Sequence, residues 1–158
     1  MLLYLLRHAE AEPHRADDFS RRLTDKGCDQ ARRVGNFLQS EKIGIDLIVT
    51  SPVVRARETA KIVAGKLGDA EFMEASWLAC GMNPENGIKE LAAYSRFESI
   101  MIVGHEPDFS ALIATLLGLS RSSSLNISKA SLTAIEFSRL GAGAGVLKFL
   151  LPVKLLPS

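Results

Sequence analysis

The stretch Leu2-Leu3-Tyr4-Leu5-Leu6-Arg7-His8-Ala9 decides the fold. Five apolar residues in a row, with no polar alternation, read as a strand covered on both faces, as in a parallel sheet. Arg7 and His8 stand where that strand stops. Open α/β sheets bind ligands in the crevice beyond the carboxyl ends of their strands. A guanidinium beside an imidazole at that place suits an anion, and phosphate first.

The same device recurs twice further along. Asp46-Leu47-Ile48-Val49-Thr50 is a second strand-like run, opening through Ser51-Pro52 into a helical stretch with Arg55 on its first turn. Ser99-Ile100-Met101-Ile102-Val103 is a third, ending in Gly104-His105-Glu106-Pro107. If these strands are parallel neighbours, Arg7, His8, Arg55 and His105 converge on one spot at one edge of the sheet.

The segments between fit that arrangement. Glu10 to Leu23 is polar and irregular, and a loop of this length in a compact domain is often functional. Thr24 caps a first helix, with Asp25 in its first turn and Ala31, Val34, Phe37 and Leu38 on its apolar face. Pro52 is expected to open a second helix, with Val53, Ala56, Ala60, Val63 and Leu67 inward and Gly68 as its stop. A short strand is expected near Ala70 to Glu74, a loop from Trp77 to Gly87, and a third helix through Ile88, Leu91, Ala92 and Phe97. Asp108 is read as the cap of a fourth helix running to Gly118. Leu119 to Ser128 is a Ser-rich connection. Leu132 to Phe137 and Val146 to Leu150, around a Gly-rich turn, read as an antiparallel hairpin. The order β-α-β-α-(β)-α-β-α-β-β predicts an α/β fold with a mostly parallel sheet and helices on both faces. A single domain over residues 1–158 is expected, with no internal repeat and no linker.

Composition narrows the partners. Hydrophobic residues make up 47% and charged residues 23%, an ordinary globular balance. The net charge of +1, with no basic block, gives no nucleic-acid footprint. No segment reaches the roughly 20 apolar residues of a membrane helix, and the first residues lack a signal-peptide pattern. A cytoplasmic protein without nucleic-acid or membrane partners is expected. The two cysteines, Cys28 and Cys80, form no CxxC pair and read as reduced thiols.

Phosphoryl transfer uses these side chains well. Two arginines can hold the phosphoryl oxygens in fork geometry. A neutral imidazole is a competent nucleophile near neutral pH, and a second can donate to a phosphoryl oxygen. This gives His8 as nucleophile, Arg7 and Arg55 as clamps and His105 as donor. With arginines supplying the cationic field, no metal and no cofactor is required. The grouping of His8, Glu10, Glu12 and His14 admits a metal reading, but its spacing is weak. The order His8-Ala9-Glu10 lacks the Pro-Cys-x-x-Cys partner of zinc deaminases.

Arg7-His8-Ala9 resembles the RHG motif of the histidine phosphatase superfamily. Ser51-Pro52-Val53-Val54-Arg55-Ala56-Arg57-Glu58-Thr59-Ala60 resembles its SPxxRAxxTA segment, and Gly104-His105 its second histidine. Arg21-Arg22-Leu23-Thr24-Asp25-Lys26-Gly27 is similar to the RPLTxxG stretch of the SixA-type branch, the protein phosphohistidine phosphatases. The resemblance spans residue 1 to about residue 110. It implies a three-layer α/β/α sandwich and a covalent phosphohistidine intermediate on His8. It also implies the same roles for Arg7, Arg55 and His105, and a substrate contact from Arg21. Ala9 stands in place of the motif's Gly, as is familiar in the SixA-like branch, and Arg22 in place of Pro.

The proton donor is left open. Mutase-like relatives carry a catalytic Glu between the second Arg and the second His, and Trp77 to Asn83 offers none. Glu106 is the candidate donor, and a turn residue before Pro107 is the competing reading. The interval from Arg55 to His105 is too short for a cap domain, so an open pocket could admit a side chain on another protein. The leading expectation is a metal-independent phosphohistidine phosphatase in signal transduction, with a phosphorylated histidine-containing protein as substrate. The alternatives are a phosphatase for small phosphate monoesters, whose leaving groups need protonation more, and a catalytically silent phosphate-binding module.

Overall fold

A computed structural model of the protein describes residues 1–14 and 16–158. It holds one six-stranded sheet and four α-helices in the order β1 (Leu2–Arg7), α1 (Asp25–Ser40), β2 (Leu47–Thr50), α2 (Val54–Ala64), β3 (Glu71–Glu74), α3 (Pro84–Ala92), β4 (Ser99–Gly104), α4 (Asp108–Leu117), β5 (Leu132–Glu136) and β6 (Val146–Leu151). The strands lie in the order β3-β2-β4-β1-β5-β6. The first four run parallel to one another, while β5 is antiparallel to β1 and to β6. The sheet is mostly parallel, as the sequence predicts, and the closing hairpin forms one edge.

Strand side chains alternate between the faces, and each set meets its own pair of helices. Tyr4, Leu6, Ile48, Met101 and Val103 pack with Ala31, Val34 and Leu38 of α1 and Ala56, Ala60 and Val63 of α2. Leu3, Leu5, Val49, Ile100 and Ile102 pack with Leu91 of α3 and Phe109, Leu112, Ile113 and Leu116 of α4. Both faces are therefore covered, which is why the central strands read as unbroken apolar runs. Between α2 and β4 the chain holds β3, a 3-10 turn at Ser76–Leu78 and α3, and no cap domain.

Several boundaries differ from expectation. α2 begins at Val54, two residues after Pro52, and ends at Ala64 before Gly65; the positive φ of Gly68 belongs to the following turn. The last four residues of the expected Trp77–Gly87 loop are the start of α3. There the Asn83 side chain accepts the Glu85 and Asn86 N–H groups at 2.9 and 3.2 Å. α3 stops at Ala92, so Phe97 lies outside it. Asp108 sits inside the first turn of α4 rather than capping it. Its Oδ2 instead accepts the N–H groups of Gly81 and Met82 at 2.8 and 3.1 Å. The capping is done by Glu106, whose Oε1 accepts the Ser110 N–H at 2.8 Å and whose Oε2 accepts the Ser110 hydroxyl.

Candidate active site

The parallel register puts three strand ends on one edge. Arg7 of β1 pairs with Gly104 of β4, and Thr50 of β2 with Val103 of β4. The ladder runs one step further: the His8 N–H donates to the Gly104 carbonyl at 3.0 Å and the Ser51 N–H to the Val103 carbonyl at 2.9 Å. His8, Ser51 and His105 therefore leave the sheet side by side. The two imidazole rings lie 5.3 Å apart, centre to centre.

His8 is 6% exposed. Its Nδ1 lies 2.7 Å from the Ala9 carbonyl oxygen. A carbonyl only accepts, so the imidazole proton sits on Nδ1 and the Nε2 lone pair is left for the pocket. That Nε2 accepts the Nε–H of Arg55 at 3.2 Å. The segment is held from behind: the Ala9 N–H donates to Thr59 Oγ1 at 3.0 Å, and the Ala130 N–H to the His8 carbonyl at 3.2 Å. Burial lowers the His8 pKa to about 3, and His105, Arg55 and Arg7 push the same way. The ring is therefore neutral, with Nε2 free of a proton, through the physiological range.

His105 is 2% exposed. Its Nε2 is 2.8 Å from Ser51 Oγ, which also accepts the Val53 N–H at 3.2 Å. With the hydroxyl proton given to Nε2, the imidazole's own proton rests on Nδ1. That Nδ1 is buried and has no hydrogen-bond partner among the described residues. Burial, followed by the Arg55 charge, lowers the His105 pKa to about 4. A neutral His105 can thus present an N–H donor without carrying charge.

Arg7 donates through Nη1 to the Ile127 carbonyl at 2.7 Å, and its Nε is buried with no partner among the described residues. Burial lowers its pKa, and the Glu106 charge opposes that shift. Arg55, on the first turn of α2, is 5% exposed. Its Nη1 donates to the Asp18 carbonyl at 2.8 Å and its Nη2 to Asp18 Oδ2 at 3.0 Å, with Cys80 Sγ 3.6 Å away. It makes no pair with Glu58, which binds Arg22 Nε at 2.8 Å and the Leu23 N–H at 2.8 Å. Arg21 lies in the same loop. Its Nη1 is 2.7 Å from Asp18 Oδ1, and its Nε donates to the Glu12 carbonyl at 2.7 Å.

The structure thus gathers Arg7, His8, Arg55 and His105 as the sequence predicts, and brings Arg21 to the pocket through Asp18. Glu106 adjoins Arg7 electrostatically, but both its oxygens serve α4. His14 lies 3.2 Å from Asp18 Oδ1. Three partners escaped the sequence reading. Ser51 and Thr59 were within the quoted helix-opening segment but have no role legible from residue type alone. Asp18 left no signal beyond the unusual length of its loop. Chemically, the arrangement gathers an unprotonated imidazole nitrogen, a second neutral imidazole and guanidinium groups, which suits a phosphoryl group.

Comparison with known proteins points to a family. Residues 3–80 match the model of the histidine phosphatase superfamily, branch 1. The phosphohistidine phosphatase SixA of Escherichia coli (strain K12) is 28% identical over 122 residues, covering 73% of this chain and 74% of that protein. A phosphohistidine phosphatase SixA homolog of Haemophilus influenzae is 30% identical over 129 residues, covering 75% and 78%. The structure of the protein histidine phosphatase SixA complexed with tungstate superposes with a TM-score of 0.88 at 22% identity, over 98% of each chain.

Proposed function

The chain belongs to the histidine phosphatase superfamily, SixA type, and on that premise we propose that it is a phosphohistidine phosphatase acting on a phosphorylated protein. The observation that carries the reading is the pair of neutral, buried imidazoles 5.3 Å apart with Arg55 Nε on the nucleophilic nitrogen. In the forward step His8 Nε2 turns its lone pair from Arg55 to phosphorus. A new N–P bond forms, and the substrate's P–N bond breaks with its electron pair leaving on the substrate imidazole. His8 keeps its proton on Nδ1, which donates to the Ala9 carbonyl throughout, so charge developing on the ring is met by an acceptor already in place. Arg55 and Arg7 turn their N–H groups to the phosphoryl oxygens, and His105 Nδ1–H donates to another. Water then cleaves the phosphoenzyme and releases phosphate.

Two further features support this substrate class. The segment between α2 and β4 inserts no cap domain, which is compatible with a phosphoryl group presented on another protein. A phosphoramidate also loses its leaving group more readily than an ester, so a solvent-derived proton suffices. This matches a Glu106 committed to Ser110. The arginines supply the cationic field that a metal would otherwise provide, so we assign no metal. Cys28 and Cys80 as free thiols fit a reducing, cytoplasmic setting. Among the described residues no helix is long and apolar enough to cross a membrane.

The test compares turnover of a phosphorylated histidine-containing carrier protein with a panel of small phosphate esters, with a chelator in the buffer. Faster turnover of the carrier protein is expected, with acid-labile label trapped on His8 by rapid quench and none in His8→Ala. Preference for esters would transfer the assignment to the small-monoester reading, and label on His105 would reverse the roles of the two histidines.

A further inference from the structure

Asp18 stands between the guanidinium groups of Arg21 and Arg55. Its Oδ2 takes Nη2 of Arg55 at 3.0 Å, and its Oδ1 takes Nη1 of Arg21 at 2.7 Å. Its backbone carbonyl takes Nη1 of Arg55 at 2.8 Å. The two oxygens of one carboxylate thus bridge two arginines that come from different elements, the loop and α2. A phosphoryl group has the same recognition chemistry with one more oxygen and more charge, and it draws on the same N–H donors.

We propose that Asp18 is a resident competitor for phosphate, its carboxylate occupying arginine donors that a phosphoryl group must take over in order to bind. This rests on the reading of the pocket as a phosphoryl site. The side chain is free to yield, since it is 40% exposed and water can receive it when displaced. The loop need not move with it. The Asp18 carbonyl stays on Arg55, the Phe19 carbonyl accepts the Val54 N–H at 3.2 Å, and the Glu12 N–H donates to the Arg22 carbonyl at 2.8 Å. Displacement is selective. A phosphoryl group carried on a protein brings contacts from the rest of the docked surface, and that remote binding energy can be spent on expelling Asp18. Free phosphate brings none, so the product is ejected as the carboxylate returns.

The competing view, that Asp18 positions Arg55 for phosphate, predicts a change of opposite sign, which makes the two separable. In Asp18→Asn the backbone carbonyl that accepts from Arg55 is unchanged, while the side chain loses its charge and keeps one acceptor oxygen in place of two. Calorimetric titration of the intact protein with inorganic phosphate measures affinity without turnover. We expect phosphate to bind Asp18→Asn on the order of 10-fold more tightly than wild type, because the competent fraction of the arginine donors rises. The inhibition constant of phosphate in the turnover assay should fall in parallel. Asp18→Ser, which also removes the carboxylate, serves if circular dichroism shows the Asn variant misfolded. Equal or weaker phosphate binding in the folded variant overturns the proposal. Absence of phosphate binding in both wild type and variant would instead overturn the phosphoryl-site reading, and this inference with it.

Discussion

Arg55 and Arg57 are two residues apart on one helix and have opposite environments. Arg55 is buried against His8 and Asp18, whereas Arg57 is half-exposed, with its Nη1 3.8 Å from Glu74 Oε1. A lysine at position 55 keeps the charge, but it cannot donate at once to His8 Nε2 and to two oxygens in a plane. Arg55→Lys is expected to lower kcat/KM on the order of 10²-fold, the scale for losing a preorganised donor. Arg57→Lys should stay close to wild type, because an exposed ion pair contributes little. Parallel kinetics on the two variants would decide it, and equal losses would contradict the placement of Arg55 in the pocket. This distinction was legible in the sequence, since a helical step of two residues turns a side chain about 200° around the axis. The role of Asp18 was not. It lies in an irregular loop with no periodicity to say where its side chain points, and its partners are 3 and 37 positions away.

The loop from Glu10 to Leu23 and helix α1 depend on one close approach. Gly27 lies in the first turn of α1, where Thr24 caps the helix by accepting its N–H at 3.0 Å. A Cβ at Gly27 would come within 1.9 Å of the Glu10 carbonyl oxygen. That contact is with backbone and cannot be relieved by a rotamer change. Gly27→Ala should therefore cost at least the roughly 1–3 kcal/mol of an overpacked core. It should also lower activity, because Glu10 begins the loop that carries Asp18 and Arg21. A urea melt together with turnover would test both effects; a variant as stable and active as wild type would refute the close approach. Element type was read from sequence more easily than element ends. Thr24 was found because its hydroxyl caps locally. Asp108 resembles a cap in sequence because an acid precedes an apolar helix, while its partners, Gly81 and Met82, are remote in sequence. The start of α3 was hidden by Gly, Asn and Pro, which mark loops and helix starts alike.

At the scale of the molecule, the two neutral imidazoles tie stability to pH. The folded His8 and His105 titrate at about 3 and 4, against about 6.5 for an unhindered imidazole. Above pH 6.5 neither state binds these protons and their contribution is constant. As the pH falls below 6.5 the unfolded chain takes up two protons that the folded protein excludes. Stability should then drop by roughly 1.4 kcal/mol per pH unit for each imidazole. Asp18, held near 2 mainly by its hydrogen bond to Arg21, adds its own loss only in more acid solution, below the ordinary carboxylate range. Urea midpoints at pH 7 and pH 5 would measure the slope. His105→Gln should flatten it by about half, and coincident midpoints for wild type at the two pH values would disprove the burial argument. The strand order has a consequence for synthesis on the ribosome. β1 emerges first, yet its two neighbours are β4, where Leu2 meets Ser99, and β5, where Leu2 meets Glu136. The strand that ends in Arg7 and His8 therefore finds no sheet partner until β4 has been translated. Contacts so distant in sequence close slowly. The edge that gathers Arg7, His8, Arg55 and His105 is therefore assembled only once β4 has joined β1.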